Sequence, residues 1–274
     1  MITINCNGTL IDFSTPRVMG ILNITPDSFF DGGSYKNESD ILTKVEKMLS
    51  EGATFIDVGA YSSRPGAIHI SEEEELQRII PVVKLLVKNF KDIIISVDTF
   101  RSVVAKKTME AGAAIVNDIS GGKMDSKMFQ TVAELQVPYI VMHMLGTPQN
   151  MQKNPQYNDV TKEVVSFFAA QIKKLQQLKV NDVLIDVGFG FGKTTEHNYE
   201  LLKNLSLFKN LDVPVLVGIS RKSMLYKPLD ITAKTALNAT TSANTIALLN
   251  GANILRVHDV KEAMEAIKIV EQLS

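Results

Sequence analysis

The chain has a single cysteine, Cys6, among its 274 residues. One thiol can form neither an internal disulfide nor a cysteine-based metal site, so a reducing cytoplasm is the expected setting. Net charge is also nearly absent: 29 basic against 30 acidic residues leave −1. That argues against a nucleic-acid binder working by bulk positive charge. Long apolar runs are missing. "IIPVVKLLV" is interrupted by Pro81 and Lys84 and is too short to span a bilayer. The start, "MITINCNGTLIDF", lacks the basic-then-apolar layout of a signal peptide. No linker or low-complexity tract marks a domain boundary. The expectation is a soluble protein with no membrane and no nucleic-acid partner.

Apolar residues are plentiful, at 45%, enough for a sizeable core. The length exceeds an ordinary domain but suits one α/β barrel. "MITINCNGTLIDF" alternates around Asn7-Gly8, a dipeptide suited to a tight primed turn, and reads as a hairpin. Then eight short apolar runs follow: "RVMGIL", "TFIDV", "IIISV", "AIVN", "PYIVM", "VLIDV", "PVLVG" and "NILRV". Runs this short and this apolar suit strands buried on both faces. Amphipathic stretches separate them. "SDILTKVEKMLSEGA" opens on a cap signal and closes near Gly52, and "SEEEELQRIIPVVKLLVKNF" places acidic residues in a first helical turn. "SVVAKKTMEAGA", "NYELLKNLSLF" and "VKEAMEAIKIVEQL" also show helical spacing. The alternation predicts an α/β fold, a (β/α)8 TIM barrel with a short N-terminal hairpin, with an open doubly wound sheet as the alternative. One domain over 1–274 is expected, with 1–14 as hairpin and 15–274 as barrel.

In such a barrel the active site lies at the C-terminal ends of the strands. Nearly every strand here ends in a polar residue: Asn23, Asp57, Asp98, Asn117, His143, Asp186, Ser220, and Arg256 with His258. Any one of these could be a turn former or a cap. Eight converging positions with three carboxylates point to a site. "GAYSSRPGA" holds Arg64 between small polar residues, although a solvated turn at Pro65-Gly66 explains it as well. "DVGFGFGKTTEHNY" is glycine-rich without the phosphate-loop spacing. Its Phe189 and Phe191 could wall a flat ligand. "GISRKSML" places Ser220, Arg221, Lys222 and Ser223 where a helix should begin, a setting that favours anions. Arg256 and His258, two apart, could face one side and take a phosphate. The plainer reading of Arg256 is an ion pair with a neighbouring strand-end carboxylate. The mouth should then have an anion-binding side (Arg256, His258, Asn23, Arg64) and a deep carboxylate and amide side (Asp98, Asn117, Asp186). A heterocycle with an amino-amidine edge would satisfy the second.

Taken in order, "MGILNITPDSFFDGG", "FIDVGAYSSRPGA", "ISVDTFR", "IVNDISGG", "VMHMLGTPQNMQ", "DVGFGFGKTTEHNY", "GISRKSML" and "RVHDV" resemble the dihydropteroate synthases, pterin-binding TIM-barrel enzymes of folate synthesis. The resemblance covers residues 17 to 260. It implies condensation of 6-hydroxymethyl-7,8-dihydropterin pyrophosphate with 4-aminobenzoate to give 7,8-dihydropteroate and pyrophosphate. Mg²⁺ as cofactor, a homodimer and sulfonamides as inhibitors are implied with it. By position, Asp98, Asn117, Ile119, Met142, Asp186 and Lys222 match the pterin site. Asn23, Ser63, Arg64, Arg256 and His258 match the pyrophosphate site, with Asn23 helping to coordinate the metal. Ser63, Arg64, Pro65, Phe191 and Ser223 fall in the aminobenzoate region. Asp31, Lys222, Arg256 and His258 are the implied catalytic residues. In this family pyrophosphate leaves first, and the loop from 24 to 33 would close over the resulting pterin-methyl cation. Asp31 would stabilise that cation and Phe29 would exclude water. The plainer reading of Phe29 and Phe30 is that they anchor the loop.

Two other activities fit parts of the pattern. Corrinoid-linked pterin methyltransferases share the pocket, but tend to lack "NITPDSF", "SRKS" and a strand-eight Arg-x-His together. A silent pterin binder should have lost Asn23, Lys222, Arg256 or His258, and all four are present. Departures are expected on the aminobenzoate side, away from the pterin pocket. There Phe30, Ala60-Tyr61 and Ser63 replace residues common in relatives.

Overall fold

The computed structural model describes residues 2–24, 38–63 and 69–273. Asn7 and Gly8 both take positive φ, 51° and 89°, and close the hairpin of β1 (Thr3–Cys6) and β2 (Thr9–Asp12). This is the mirror-image turn that the Asn-Gly pair favours. Eight parallel strands then form a closed barrel: β3 (Arg17–Asn23), β4 (Phe55–Gly59), β5 (Ile95–Asp98), β6 (Ile115–Asp118), β7 (Tyr139–Met142), β8 (Val183–Asp186), β9 (Val215–Val217) and β10 (Ile254–Val257). They pair in chain order, and β10 closes onto β3. The barrel, not the open sheet, is therefore the fold.

Alternation explains the strand sequences. Outward residues such as Val58, Val97, Val116, Val141, Ile185 and Val217 pack under the helices in one large core. The lower inward residues, Met19, Phe55, Ile115, Ile140, Leu184, Leu216 and Ile254, pack with Ile4, Cys6 and Phe13 of the hairpin segment. The hairpin therefore plugs the N-terminal end of the barrel. It is stitched there by Asn5 N–H to Asp182 Oδ2 at 3.0 Å and by Asn7 Nδ2 to the Ala113 carbonyl at 3.2 Å. Burial pushes the Cys6 thiol up to about 12, so it is an inert core residue. A cavity of about 440 Å³ also lies at this end, bordered by Ile2, Phe13, Lys209, Asn253 and Glu271. It is remote from the strand ends that carry the polar residues.

The helices are α1 (Glu38–Ser50), α2 (Glu72–Asn89), α3 (Ser102–Glu110), α4 (Met128–Leu135), α5 (Val160–Gln177), α6 (Thr195–Lys203), α7 (Ser223–Tyr226), α8 (Leu237–Leu249) and α9 (Val260–Glu271). In α1, Ile41, Val45 and Met48 form the buried stripe, at the spacing a helix requires. Ser71 caps α2 by accepting from Glu74 N–H at 3.1 Å. Pro81 lies exposed inside α2 and does not end it. The stretch from Asn198 to Phe208 is not one helix. α6 ends at Lys203, and a 3-10 helix follows over Leu205–Leu211. Helices α4, α5 and α8 add to the five expected from spacing. In α8 the pattern is blurred because Thr240, Thr241, Ser242 and Thr245 return their hydroxyls to carbonyls four residues back, which suits hydroxyls to either face. Among the described residues no helix is long and apolar enough to cross a membrane.

Candidate active site

Above the apolar plug the inward positions turn polar. β4 contributes Asp57, β5 Ser96 and then Asp98, β6 Asn117, β8 Asp186, and β10 Arg256. Asp57 is the hub. Its carboxylate accepts from Ser96 Oγ at 2.6 Å, from Asn117 Nδ2 at 3.2 and 3.3 Å, and from Arg256 Nε at 2.6 Å. Arg256 Nη2 donates to Asp98 Oδ2 at 3.0 Å. The plainer reading of Arg256 thus holds: it is paired with two strand-end carboxylates. Arg256, expected on the anion side, is thus tied to Asp98 of the expected carboxylate side.

Asp186 is buried, and its Oδ1 accepts from Gly188 N–H at 2.7 Å. Burial raises its carboxyl against the pull of the Lys222 ammonium. Burial in turn lowers Lys222 to about 8, while Asp186 works the other way. Lys222 Nζ donates to the Phe189 carbonyl at 2.6 Å and lies 4.8 Å from the centre of the Phe191 ring. Burial also pushes the Asp98 carboxyl up, opposed by Arg256. Asn117 Oδ1 is buried and has no partner among the described residues. Over this polar floor stands an apolar wall of Ile119, Met142, Met144, Phe100, Tyr61 and Phe191. Tyr61 belongs to the same apolar cluster as Ile119 and Met142.

Of the other predicted residues, Asn23 ends β3, with Gly59 of β4 between it and Asp98. A Cβ placed on Gly59 would be 3.6 Å from both Asn23 Oδ1 and Asp98 Oδ2. His258 lies just past β10, with its edge open to solvent and Nδ1 2.9 Å from Ser220 Oγ. Desolvation, and then the Arg256 charge, lower this imidazole to about 4, so it is neutral at pH 7. Ser63 and Ser223 are half-buried. α7, which begins at Ser223, has only four residues, so few aligned peptides contribute to the dipole expected there. Asp31, Arg64 and Pro65, with Phe29 and Phe30, lie outside the described residues.

Several conspicuous polar residues build the scaffold instead. Asp118 accepts from Ser120, from Gly122 N–H and from the Tyr139 hydroxyl, fixing the "DISGG" turn. Lys193 points its buried ammonium at the carbonyls of His143, Gly188 and Phe191 and at His143 Nδ1, so it ties the glycine-rich loop and consumes His143. Gly188 is required there, because a Cβ would strike the His143 carbonyl and its φ is +72°. Arg221 turns away from the mouth, bidentate to Asp259 at 2.8 Å for both contacts.

Spacing alone did not reveal one buried pair. Glu75, in the acidic first turn of α2, is fully buried and paired with Arg101. It also accepts from Thr99 Oγ1 at 2.7 Å. Arg101 donates further to the carbonyls of Ile70 at 2.6 Å and Ser71 at 3.2 Å. Tyr61 Oη lies 3.2 Å from His69 Nδ1 and accepts from Gln149 Nε2 at 3.0 Å. Both feet of the loop after β4 are thereby held. Arg101→Ala should cost about 3 kcal/mol, because Glu75 stays buried without its cation. Urea denaturation reads this. A loss below about 1 kcal/mol would mean the pair contributes little beyond an exposed one.

Three comparisons agree with this geometry. The family model described as "Pterin binding enzyme" matches residues 19–258. Dihydropteroate synthase of Escherichia coli K12 is 45% identical over 266 residues, covering 96% of this chain and 94% of that one. The Yersinia pestis dihydropteroate synthase solved with a sulfonamide drug complex superposes with a TM-score of 0.93 at 42% identity, covering 99% of each chain. The Xanthomonas albilineans dihydropteroate synthase solved with 7,8-dihydropteroate gives 0.89 at 34% identity, covering 99% and 98%.

Proposed function

The chain belongs to the dihydropteroate synthases, among the pterin-binding enzymes, and from that membership we propose that it joins 6-hydroxymethyl-7,8-dihydropterin pyrophosphate to 4-aminobenzoate, releasing pyrophosphate. The observation that carries the reading is the floor of the barrel. A buried carboxylate (Asp186), a buried amide oxygen without a partner among the described residues (Asn117 Oδ1) and an ammonium (Lys222) face one apolar-walled mouth. A flat ring with N–H donors on one edge and an acceptor on another satisfies all three.

Asp186 accepts from the aminopyrimidine edge, a charge-assisted contact. Lys222 donates to a ring oxygen or nitrogen, and Phe191 and Met142 flank the ring. Arg256, already pinned at the strand ends, faces the pyrophosphate with His258. Its fork of donors suits that group. As the C–O bond breaks, negative charge builds on the leaving pyrophosphate, and Arg256 stabilises it in a site shielded from water. The methylene carbon becomes a pterin-stabilised cation. The neutral amine of 4-aminobenzoate attacks it, and the nitrogen then loses its proton to solvent. No strong base is needed, and alignment of the two substrates supplies much of the rate. Ser63, Ser223 and Phe191 are assigned to the aminobenzoate. Asp31 is assigned to the cation, Arg64 to the pyrophosphate and the aminobenzoate, and Pro65 to the aminobenzoate.

Mg²⁺ fits the donor set. Among the described residues no group of three His, Cys, Asp or Glu could hold a metal, and Asn23 offers one neutral oxygen at the mouth. A hard cation that keeps its waters and takes its remaining ligands from phosphate oxygens suits such a site. When bound it would neutralise pyrophosphate charge. A homodimer in the cytoplasm completes the proposal. Ile246, Leu249 and Ile269 are exposed on α8 and α9, and a second copy would cover them. Sulfonamides are proposed to compete for the aminobenzoate position.

The test is pyrophosphate release by the purified chain with Mg²⁺ and the pterin pyrophosphate, with and without 4-aminobenzoate, while product is followed by chromatography. Release coupled to dihydropteroate is expected. Tight pterin binding with no product would instead indicate a silent binder.

A further inference from the structure

Asp57 is fully buried and has no direct part in the reaction above, yet it is the most connected carboxylate at the floor. A carboxylate offers only acceptors. Asn117 must therefore turn its amide nitrogen toward Asp57, 3.2 and 3.3 Å from the two oxygens. The amide oxygen is then forced to the other side, where it is buried and has no partner among the described residues. A buried acceptor left open is costly unless something bound later donates to it. Ser96 Oγ, 2.6 Å from Oδ1, holds the carboxylate in place from the neighbouring strand. The same carboxylate takes Arg256 Nε at 2.6 Å while Asp98 takes Nη2, and this fixes the plane of the guanidinium.

We propose that Asp57 is a positioning and specificity-determining residue. It locks the Asn117 amide with its oxygen toward the ligand, so that the floor selects a ring with an N–H donor at that point, and it aims Arg256 with the same carboxylate. This rests on the pterin reading of the site. A merely structural Asp57 would neutralise Arg256 and leave the orientation of Asn117 without consequence.

Calorimetric titration of the full chain with 6-hydroxymethyl-7,8-dihydropterin, which carries no pyrophosphate, isolates the Asn117 arm. Asp57→Asn presents a donor in place of one oxygen, so Asn117 can flip. Affinity should fall about tenfold, on the scale of one buried hydrogen bond. In an Asn117→Ala background the same change should cost less than about twofold, because the two act through one contact. A folded Asp57→Asn chain that binds within about twofold of wild type, or losses that simply multiply, would overturn the proposal. Should Asp57→Asn fail to fold, Ser96→Ala loosens the same carboxylate without touching charge or ligand. A loss of about threefold is expected, and none in Asn117→Ala; no loss in either background overturns it. If the unaltered chain does not bind the dihydropterin at all, the functional reading fails rather than the role of Asp57.

Discussion

Arg256→Ala should lower turnover by about 10²–10³-fold, the range for removing one preorganised donor to developing negative charge. It should also lower stability by about 3 kcal/mol, because it leaves two carboxylates behind in place of a satisfied network. Asp57 is wholly buried and the Asp98 side chain is 15% exposed, so neither can recover much hydration. In a protein of this size that loss corresponds to a drop in melting temperature on the order of 8 °C. An Asp57→Asn background tests the coupling. There Arg256→Ala should cost less stability, since one of the stranded charges is gone, and a smaller factor in turnover, since Asp57 no longer aims the guanidinium. Calorimetric melting of the four chains checks this. A single variant that melts like the parent would show that the ion pairs are compensated by water, and unchanged turnover would remove Arg256 from the reaction.

Lys222→Ala should reduce kcat/KM for the pterin pyrophosphate on the order of 10²-fold, as expected for loss of a hydrogen bond from a charged donor. The pH profile carries the sharper test. Burial lowers Lys222 to about 8 even though Asp186 opposes the shift. Below that value the ammonium is present and donates. As pH rises through about 8 the proton leaves, and kcat/KM should fall about tenfold per further pH unit. Lys222→Arg should remove this alkaline limb, because a guanidinium keeps its proton. The sign for folding is the reverse. The folded value is below the unfolded one, so a protonated Lys222 carries a burial penalty at pH below about 8. That penalty is relieved between about 8 and the ordinary lysine value near 10.4. An alkaline limb that persists in Lys222→Arg would assign it to another group.

Much of the architecture was written in local pattern. Eight apolar runs with helices between them require a barrel or a doubly wound sheet, and Asn7-Gly8 specifies the hairpin turn. The ordered motifs mark the family and, with it, Asp98, Asn117, Asp186, Lys222 and Arg256. Each sits on a strand end or the loop after it, so its place at the mouth follows from chain order. Local pattern failed where one sequence property served two purposes. The acidic first turn of α2 reads as a complement to the helix dipole, yet Glu75 within it is buried against Arg101. The hydroxyl-rich α8 shows little amphipathic contrast because its Thr and Ser side chains satisfy themselves on the backbone.

The sequence by itself determined the fold class, the family and the chemical inventory of the mouth, because strand period, turn chemistry and motif order are properties of neighbours along the chain. Only the tertiary structure decided which groups spend their hydrogen bonds on one another. It assigned His143 and Lys193 to the scaffold, turned Arg221 outward and made Asp57 the hub for Arg256, 199 residues away. Those outcomes depend on barrel closure and on strand register. Closure brings β10 beside β3, and register sets which side chains share a layer; neither is a local property of the chain.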